Sequence, residues 1–299
     1  MYRDARAPTA EQKGSDVDAS TGHRPSVSVV VPVYNSAATL ADLVERVRAV
    51  LSAAAAESEI ILVNDGSGDD SWRVIEELST THAAVRGIDL LRNFGQHNAL
   101  LSGIRSARYD IIVTLDDDLQ TPPEEIPKLL DTLTDRFDVV YGAREKERYG
   151  VLRGIATWIT KLVLRQAMGD VASKTTAFRA FRTRLRDGFV QYHSPHVSID
   201  VLLTWTTTRF TTVVTRYDAR RHGQSGYTLG KLMTHTFNML TGYSTLPLQI
   251  ASLIGFLFTI FGVGILVFVL VRYFMGGTLP GFTFLASSIA IFSGAQLLA

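Results

Sequence analysis

Five apolar runs that alternate with segments of helical spacing constrain the fold of this chain most. We predict strands at residues 27–31, 59–63, 85–91, 111–115 and 137–142, and helices at residues 37–54, 70–80, 96–107 and 122–134. Continuous apolar strands separated by helices are typical of parallel sheets that helices cover on both faces. The pattern therefore predicts an α/β fold with a mostly parallel central sheet.

Two longer apolar stretches follow the predicted sheet, at residues 250–271 and 282–299. A helix of about 20 apolar residues is long enough to cross a bilayer. A buried core helix is the alternative for each stretch. Because a short turn at residues 276–281 joins the two, we favour a two-helix transmembrane hairpin.

The distribution of charge and polarity divides the chain into four parts. We predict a disordered tail at residues 1–25, a globular domain at 26–228, a juxtamembrane amphipathic segment at 229–248 and the hairpin at 249–299. Lys and Arg are plentiful before the first span, whereas the connecting loop holds only Arg272. The positive-inside rule then places the globular domain in the cytoplasm, as part of an integral inner or plasma membrane protein.

Two basic amphipathic segments are candidates for helices at the membrane interface. They lie at residues 155–165 and 229–240. Helices with Lys and Arg on one face and large apolar residues on the other bind such interfaces. For the first segment, an ordinary surface helix is an equally good interpretation.

Composition excludes several classes of function. The chain has no cysteine, which excludes disulfides, thiol catalysis and metal sites with cysteine ligands. The net charge of +1 gives no global field that attracts nucleic acid, so we expect no such partner. The seven histidines include no His-x-x-x-His pair, which disfavours a zinc site.

Three consecutive carboxylates follow the predicted strand at 111–115. They form the sequence Asp116-Asp117-Asp118-Leu119-Gln120. Like charges at the end of a buried strand repel each other, and a divalent cation with a phosphate partner offsets that cost. The alternative is a solvated acidic turn. We also interpret Thr121 to Glu124 as a capping box that begins a helix at once.

Other predicted strands also end in polar loops. Backbone amides at residues 32–35 and the side chain of Asn35 can face an anion. Asp65 can accept hydrogen bonds from a base edge, although Asn-Asp-Gly-Ser is also an ordinary β-turn sequence. Residues 92–96 supply a cation and the flexible Gly95, and Arg144 is a candidate phosphate ligand. Carboxyl ends of parallel strands share one edge, so we predict a single ligand site there.

The segments at residues 31–35, 64–67, 92–96 and 116–120 resemble the inverting family-2 glycosyltransferases with the GT-A fold. More narrowly, they resemble the polyprenyl-phosphate glycosyltransferases, which include dolichol-phosphate mannose synthase and bacterial undecaprenyl-phosphate sugar transferases. The resemblance covers residues 26–299. Residues 220–225 resemble that group's Arg-x-x-Gly-x-Ser segment, but Gly226 stands where the family often has Lys. Family chains usually continue past the second span, so we expect this one to be truncated.

The resemblance implies roles for individual residues. Asp65 would contact the nucleotide base, and the carboxylate pair would hold a cation, Mg²⁺ or Mn²⁺, with the donor diphosphate. The implied catalytic residues are Asp116, Asp118, Arg144 and Arg220. The implied metal ligands are Asp116, Asp118 and Gln120. The implied cofactor-binding residues are Pro32, Tyr34, Asn35, Asp65, Gly95, Gln96, Asp117 and Ser225. Asp117 stands where the family often has a small residue, and we assign it no chemical role.

The implied activity is inverting transfer of one sugar from a UDP- or GDP-linked donor to a polyprenyl phosphate at the cytoplasmic face of the membrane. The partners would be the donor, the polyprenyl phosphate and membrane lipid, and the resemblance also implies a homo-oligomer, such as a tetramer. One alternative is a processive polysaccharide synthase, which would need a Gln-x-x-Arg-Trp motif that this sequence lacks. The other is a non-catalytic nucleotide-binding membrane scaffold. On the acceptor side, Arg179 is a weak candidate, and Asp200 is either a base or a helix N-terminal charge.

Overall fold

The computed structural model describes residues 24–143, 175–194, 197–218 and 246–276, together with helical positions 281, 285, 288, 289, 291, 292 and 296. The strands are β1 (Ser26–Val33), β2 (Glu57–Asn64), β3 (Val85–Asp89), β4 (Ile111–Thr114), β5 (Val139–Ala143), β6 (Arg179–Arg182) and β7 (Phe210–Val214). The α-helices are α1 (Ala37–Ala54), α2 (Ser71–Thr81), α3 (Gln96–Ser106), α4 (Ile126–Thr132), α5 (Ile199–Thr204) and α6 (Leu246–Phe274). Short 3-10 helices occupy Pro123–Glu125 and Thr183–Gly188.

The seven strands form one sheet in the order β3-β2-β1-β4-β6-β5-β7. Only β6 runs antiparallel to its neighbours, β4 and β5. The prediction of a mostly parallel α/β sheet is therefore confirmed. All five predicted strands are present, whereas β6 and β7 were not predicted.

Helices cover both faces of the sheet and bury its apolar side chains. One core contains residues of α1, α2 and α4 packed on alternate residues of β1, such as Val29 and Val31. The other contains α3 and α5, packed on Val30. A Cβ atom at Gly103 of α3 would lie 2.4 Å from Val30 Cγ1, so α3 approaches β1 more closely than any larger residue permits. This close packing fixes the start of α3 relative to the end of β1.

The predicted capping box at residues 121–124 is wrong. The chain enters a 3-10 turn at Pro123, and α4 begins at Ile126 without a side-chain cap. Glu124 accepts two hydrogen bonds from Arg46 of α1, at 2.9 and 2.7 Å. This pairing lowers the pKa of Glu124 and ties the segment after the acidic loop to α1.

Asp138, just before β5, is a buried carboxylate that accepts hydrogen bonds from arginine side chains. It accepts hydrogen bonds from Arg209 Nη2 at 2.6 Å, Arg184 Nη2 at 3.0 Å and Thr207 Oγ1 at 2.7 Å. Burial alone would raise the pKa of Asp138, but the hydrogen bonds from Arg209, Thr207 and Arg184 outweigh it and hold the pKa at about 2. The network joins β5, β7 and the segment after β6.

We expect this network to be lost in acid. A carboxylate with a depressed pKa in the folded state stabilises the fold fully above its unfolded pKa of about 3.9, and that stabilisation disappears as pH falls toward 2. The lowered pKa of Asp138 corresponds to about 2 kcal/mol of stability at neutral pH. The Asp138→Asn variant, measured as the full chain in detergent, should melt several degrees below the wild type at pH 7. A difference in melting temperature that stays constant from pH 7 to pH 2.5 would contradict this prediction.

Helix α6 is the one described helix that is long and apolar enough to cross a membrane. Its 29 residues span roughly 43 Å, and the stretch from Ala251 to Arg272 has a mean hydropathy of 2.8. The described positions of the next apolar stretch are helical, but most of that stretch lies outside the described residues. The second span of the predicted hairpin thus stays a prediction. The predicted interfacial segments at 155–165 and 229–240 also lie outside the described residues.

Candidate functional site

The candidate site lies at the edge of the sheet where β1 to β4 end. In the sheet register Val33 lies opposite Asn64, and Asn64 lies opposite Asp89, so β1, β2 and β3 end at one level. The last residue of β4, Thr114, lies opposite Val30, so the chain leaves β4 beside the end of β1. The loops that follow these four strands meet at a single edge, as the sequence predicts.

Buried leucines fix the acidic loop after β4. Leu115 is 1% exposed and Leu119 is 4% exposed. Leu119 has a φ of 58°, in the left-handed region that residues other than glycine rarely adopt. The Gln120 N–H donates to Asp118 Oδ1 at 3.0 Å and closes the turn. The fold therefore sets the positions of the half-buried carboxylates between these leucines.

The backbone amides at the N-terminus of α1 all donate to side chains of the protein. For residues 34 to 37 in order, the acceptors are Asp117 Oδ2 at 3.0 Å, Ser67 Oγ at 3.0 Å, Ser71 Oγ at 2.9 Å and Asp69 Oδ2 at 3.2 Å. A helix N-terminus favours negative charge. We expected the amides at residues 32–35 to face an external anion, but the Tyr34 N–H donates to the Asp117 carboxylate and the Asn35 N–H to the Ser67 hydroxyl.

Asn35 joins the first two loops of the site. Its backbone has a φ of 53°, and its side-chain Oδ1 accepts a hydrogen bond from the Gly68 N–H at 2.8 Å. The left-handed conformation is one that asparagine tolerates better than most residues. Asn35 therefore holds the loop after β2 against the loop after β1, and its predicted contact with the nucleotide stays a prediction.

Asp65, at the end of β2, holds the loop after β3. It is 3% exposed, and its two carboxylate oxygens accept the N–H groups of Phe94 at 2.7 Å and Gly95 at 2.9 Å. Burial raises the pKa of Asp65, and the two amide hydrogen bonds lower it in part. A Cβ atom at Gly66 would lie 2.5 Å from the carbonyl carbon of Arg92, so the two loops are in direct contact. Contact between Asp65 and a nucleotide base stays a prediction.

Two aromatic rings are exposed beside Asp65 and the acidic loop. Tyr34 is 51% exposed and Phe94 is 45% exposed, and the Arg92 guanidinium lies 4.6 Å above the Phe94 ring. Pro32, two residues before Tyr34, is buried near the end of β1. Exposed aromatic rings offer flat surfaces on which a nucleobase can stack.

The described side chains do not by themselves complete the coordination of a divalent cation. The described residues contain no group of three or more His, Cys, Asp or Glu side chains arranged to hold a metal ion. Asp116 and Asp118 supply carboxylates, and Gln96 Nε2 donates to Asp116 Oδ1 at 2.6 Å. Mg²⁺ and Mn²⁺ both accept carboxylate oxygens and take their other ligands from phosphate and water. The residues present therefore fit a cation that arrives with a diphosphate.

The segment after β7 is bonded to the acidic loop. The Tyr217 hydroxyl donates to Gln120 Oε1, and the Asp218 N–H donates to the Gln120 carbonyl at 2.7 Å. The Arg216 N–H donates to Glu125 Oε2 at 3.2 Å. Gln120, predicted as a metal ligand, is therefore engaged by Tyr217, and its place on a cation stays a prediction.

Three predicted site residues, Arg144, Arg220 and Ser225, lie outside the described residues. Arg144 directly follows Ala143, the last residue of β5. Arg220 comes two residues after Asp218 in the chain. The roles of these three residues at phosphate groups stay predictions.

A buried ion pair joins β6 to α5. Arg179, on β6, is 1% exposed, and its guanidinium donates to Asp200 Oδ1. The Tyr141 hydroxyl donates to the same oxygen at 2.9 Å. Burial, and then the charge of Asp200, raise the pKa of Tyr141 well above its ordinary value. Asp200 lies in the first turn of α5, and the partner that neutralises it is Arg179.

Sequence reasoning missed the residues that connect the loops. Ser67, Asp69 and Ser71 accept three of the four N–H groups of residues 34–37, which lead into α1, and Asp117 accepts the fourth. The sequence Asp69-Asp70-Ser71 before a helix carries the side chains that satisfy backbone amides at helix starts. That signal identifies these residues as hydrogen-bond acceptors. It does not show that they accept the amides that lead into α1 rather than those of α2.

Residues 28–189 match the protein family described as glycosyl transferase family 2. The match covers more than half of the chain and includes the four strand ends of the site. The chain therefore belongs to glycosyltransferase family 2, and the predicted resemblance is confirmed.

Similarity to individual proteins places the chain more narrowly. It is 33% identical over 278 residues to the undecaprenyl-phosphate 4-deoxy-4-formamido-L-arabinose transferase of Proteus mirabilis, a match that covers 91% of this chain and 85% of the relative. It is also 33% identical over 232 residues to the transferase of the same name from Pseudomonas fluorescens, covering 77% of this chain and 68% of the relative. The chain is thus an enzyme of the polyprenyl-phosphate glycosyltransferase group.

Solved structures share the fold. A glucosyl-3-phosphoglycerate synthase of Mycobacterium tuberculosis, solved with Mn²⁺, UDP and its product, has a TM-score of 0.56 at 19% identity, covering 73% of this chain and 80% of that chain. A mannosyltransferase of Pyrobaculum calidifontis, solved with GDP-mannose and Mn²⁺, has a TM-score of 0.50 at 15% identity, covering 92% and 74%. The predicted GT-A fold is confirmed.

Proposed function

We propose that this enzyme transfers one sugar from a nucleotide-sugar to undecaprenyl phosphate or a similar polyprenyl phosphate, with inversion, at the cytoplasmic face of a membrane. One observation carries the proposal. The match to the Proteus mirabilis transferase leaves only about a tenth of this chain uncovered, so it includes most of α6 as well as the catalytic sheet. A relative that shares both parts supports a lipid-linked acceptor and not merely a common nucleotide fold.

The site supports the donor half of this reaction. Asp116 and Asp118 would hold a divalent cation, Mg²⁺ or Mn²⁺, and that cation would stabilise the charge on the departing diphosphate. Tyr34 and Phe94 would line the nucleoside, next to the Asp65 carboxylate. Two solved structures of the same fold contain Mn²⁺ and a nucleotide, which supports a divalent cation at the donor site.

The acceptor half needs little base catalysis. A lipid monophosphate is already anionic at neutral pH, so its oxygen can form a bond to the anomeric carbon as the bond from that carbon to the nucleoside diphosphate breaks. The protein must instead bring two anions together, which is an orientation problem. We assign this task to Arg144, Arg220 and Ser225. The tie between Gln120 and residues 217–218 holds the chain that leads to Arg220 close to the acidic loop.

The experiment that tests this function is transfer of radiolabelled sugar to undecaprenyl phosphate. Full-length enzyme in detergent would be offered UDP- and GDP-linked sugars, including 4-deoxy-4-formamido-L-arabinose donors, with Mg²⁺, with Mn²⁺ and with EDTA. We expect one lipid-linked sugar per acceptor with one donor, and no product in EDTA. A polymeric product would support a processive synthase instead. Nucleotide binding without transfer of any sugar would support a non-catalytic scaffold.

A further inference from the structure

Asp117 differs from its two acidic neighbours in what it contacts. Its Oδ2 atom accepts the Tyr34 N–H at 3.0 Å, and its backbone carbonyl accepts the Thr39 hydroxyl at 2.8 Å. One residue of the acidic loop therefore contacts α1 both before its start and in its first turn. Burial raises the pKa of Asp117, while hydrogen bonds from Ser36 and from the Tyr34 amide lower it in part.

These contacts control the orientation of an exposed ring. Tyr34 has half of its surface exposed at the sheet edge, and the left-handed Asn35 follows it. The carbonyl of the peptide group between these two residues accepts the Ser36 hydroxyl at 3.2 Å. In this loop, the Tyr34 amide is held by Asp117 and the Asn35 amide by Ser67. Removal of the Asp117 carboxylate would leave the Tyr34 N–H without this acceptor.

We propose that Asp117 is a positioning residue for the donor nucleotide, which holds the β1–α1 loop and the Tyr34 ring in place and does not itself bind the cation. The inference rests on the proposed function, because it takes the ligand of this edge to be a nucleoside diphosphate. It assigns the two halves of the donor to different residues of one loop. Asp116 and Asp118 bind the cation that holds the diphosphate, and Asp117 positions the Tyr34 ring that contacts the nucleoside.

The Asp117→Asn and Asp117→Ala variants test this assignment. Both substitutions remove the negative charge, but only asparagine keeps an oxygen that can accept the Tyr34 N–H. A difference between the two variants therefore reports the hydrogen bond and not the charge. Binding of Mn²⁺ in the presence of pyrophosphate, which supplies the diphosphate without a nucleoside, would be measured by electron paramagnetic resonance. Binding of UDP and of GDP would be measured by calorimetry at saturating Mn²⁺, and exchange of the Tyr34 amide by hydrogen–deuterium exchange.

We expect the two variants to bind Mn²⁺ equally, within a factor of two. The alanine variant should bind the nucleoside diphosphate up to about tenfold more weakly than the asparagine variant, the effect of losing one neutral hydrogen bond. The Tyr34 amide should exchange faster in the alanine variant alone. If the alanine variant does not fold, Thr39→Val, which removes the second contact at nearly constant volume, should weaken nucleotide binding about threefold with Mn²⁺ binding unchanged.

Equal nucleotide binding by the two Asp117 variants would overturn the inference. A difference between them in Mn²⁺ binding would also overturn it, because Asp117 would then act on the cation. A wild-type protein that binds neither UDP nor GDP would instead refute the proposed function, so the two failures are distinguishable.

Discussion

Asp118→Ala is expected to lower the rate of sugar transfer by about 10²- to 10³-fold. The carboxylate would hold the cation that stabilises the departing diphosphate, and loss of one such electrostatic contact in an active site costs 10²- to 10³-fold. The same substitution removes the acceptor of the Gln120 N–H, which closes the turn at Leu119. Initial rates of transfer to undecaprenyl phosphate would measure the effect.

Two control variants separate these causes. Asp118→Asn keeps an oxygen for the Gln120 N–H but lacks the negative charge, so we expect it to be nearly as inactive as the alanine variant. Asp131→Ala, on the exposed side of α4, removes an acidic residue that has no place in the site and should leave the rate unchanged. Substantial activity in Asp118→Asn would show that the charge at this position is not needed.

Arg179→Ala is expected to have the largest effect on stability. The guanidinium is buried, and it pairs with the Asp200 carboxylate, whose side chain is only 15% exposed. Removing one partner of a buried ion pair leaves an uncompensated charge and costs about 3–5 kcal/mol. For a protein of this size, the melting temperature of the detergent-solubilised chain should fall by roughly 10 °C.

An exposed ion pair provides the matched control for this variant. Arg73 of α2 pairs with Asp70 and Glu77 at the surface, and surface pairs contribute little to stability. Arg73→Ala should therefore leave the melting temperature unchanged. The double variant Arg179→Leu with Asp200→Leu should be more stable than Arg179→Ala, because no unpaired charge remains. A melting temperature for Arg179→Ala equal to that of Arg73→Ala would refute the importance of the buried pair.

Local pattern was sufficient to predict the first five strands. Four of them are mostly apolar runs that are buried on both faces, as in β1, where seven of eight positions are buried. Strand β3, at the edge of the sheet, is only partly buried, and Val85 and Ile88 were the apolar residues that indicated it. Strand β6 was missed because its sequence, Arg-Ala-Phe-Arg, begins and ends with a charged residue. Arg179 is buried there only because Asp200 and Tyr141 accompany it, and no local pattern reveals partners that are distant in the chain.

The location of the candidate site was also predictable, but its internal contacts were not. Parallel strands end at one edge, so the acidic loop and the loops at residues 35, 65 and 95 had to meet. The partners inside the cluster depend on distances of about 3 Å between loops that are far apart in sequence. For this reason Glu124 was assigned to a cap although it pairs with Arg46, and Asp117 was assigned no role.

The antiparallel strand β6 also has a consequence for the order in which the chain folds. Strands β1 to β4 can pair as soon as residue 114 has been synthesised, because each neighbour in that half of the sheet lies within residues 26–114. Strand β5 comes next in the chain, but it is joined to β4 by pairing with β6, at residues 179–182, which lies between them. Unpaired strand edges promote aggregation during folding. On the ribosome, the nucleotide half of the sheet should therefore form first, and β5 should depend on chaperones until β6 has emerged.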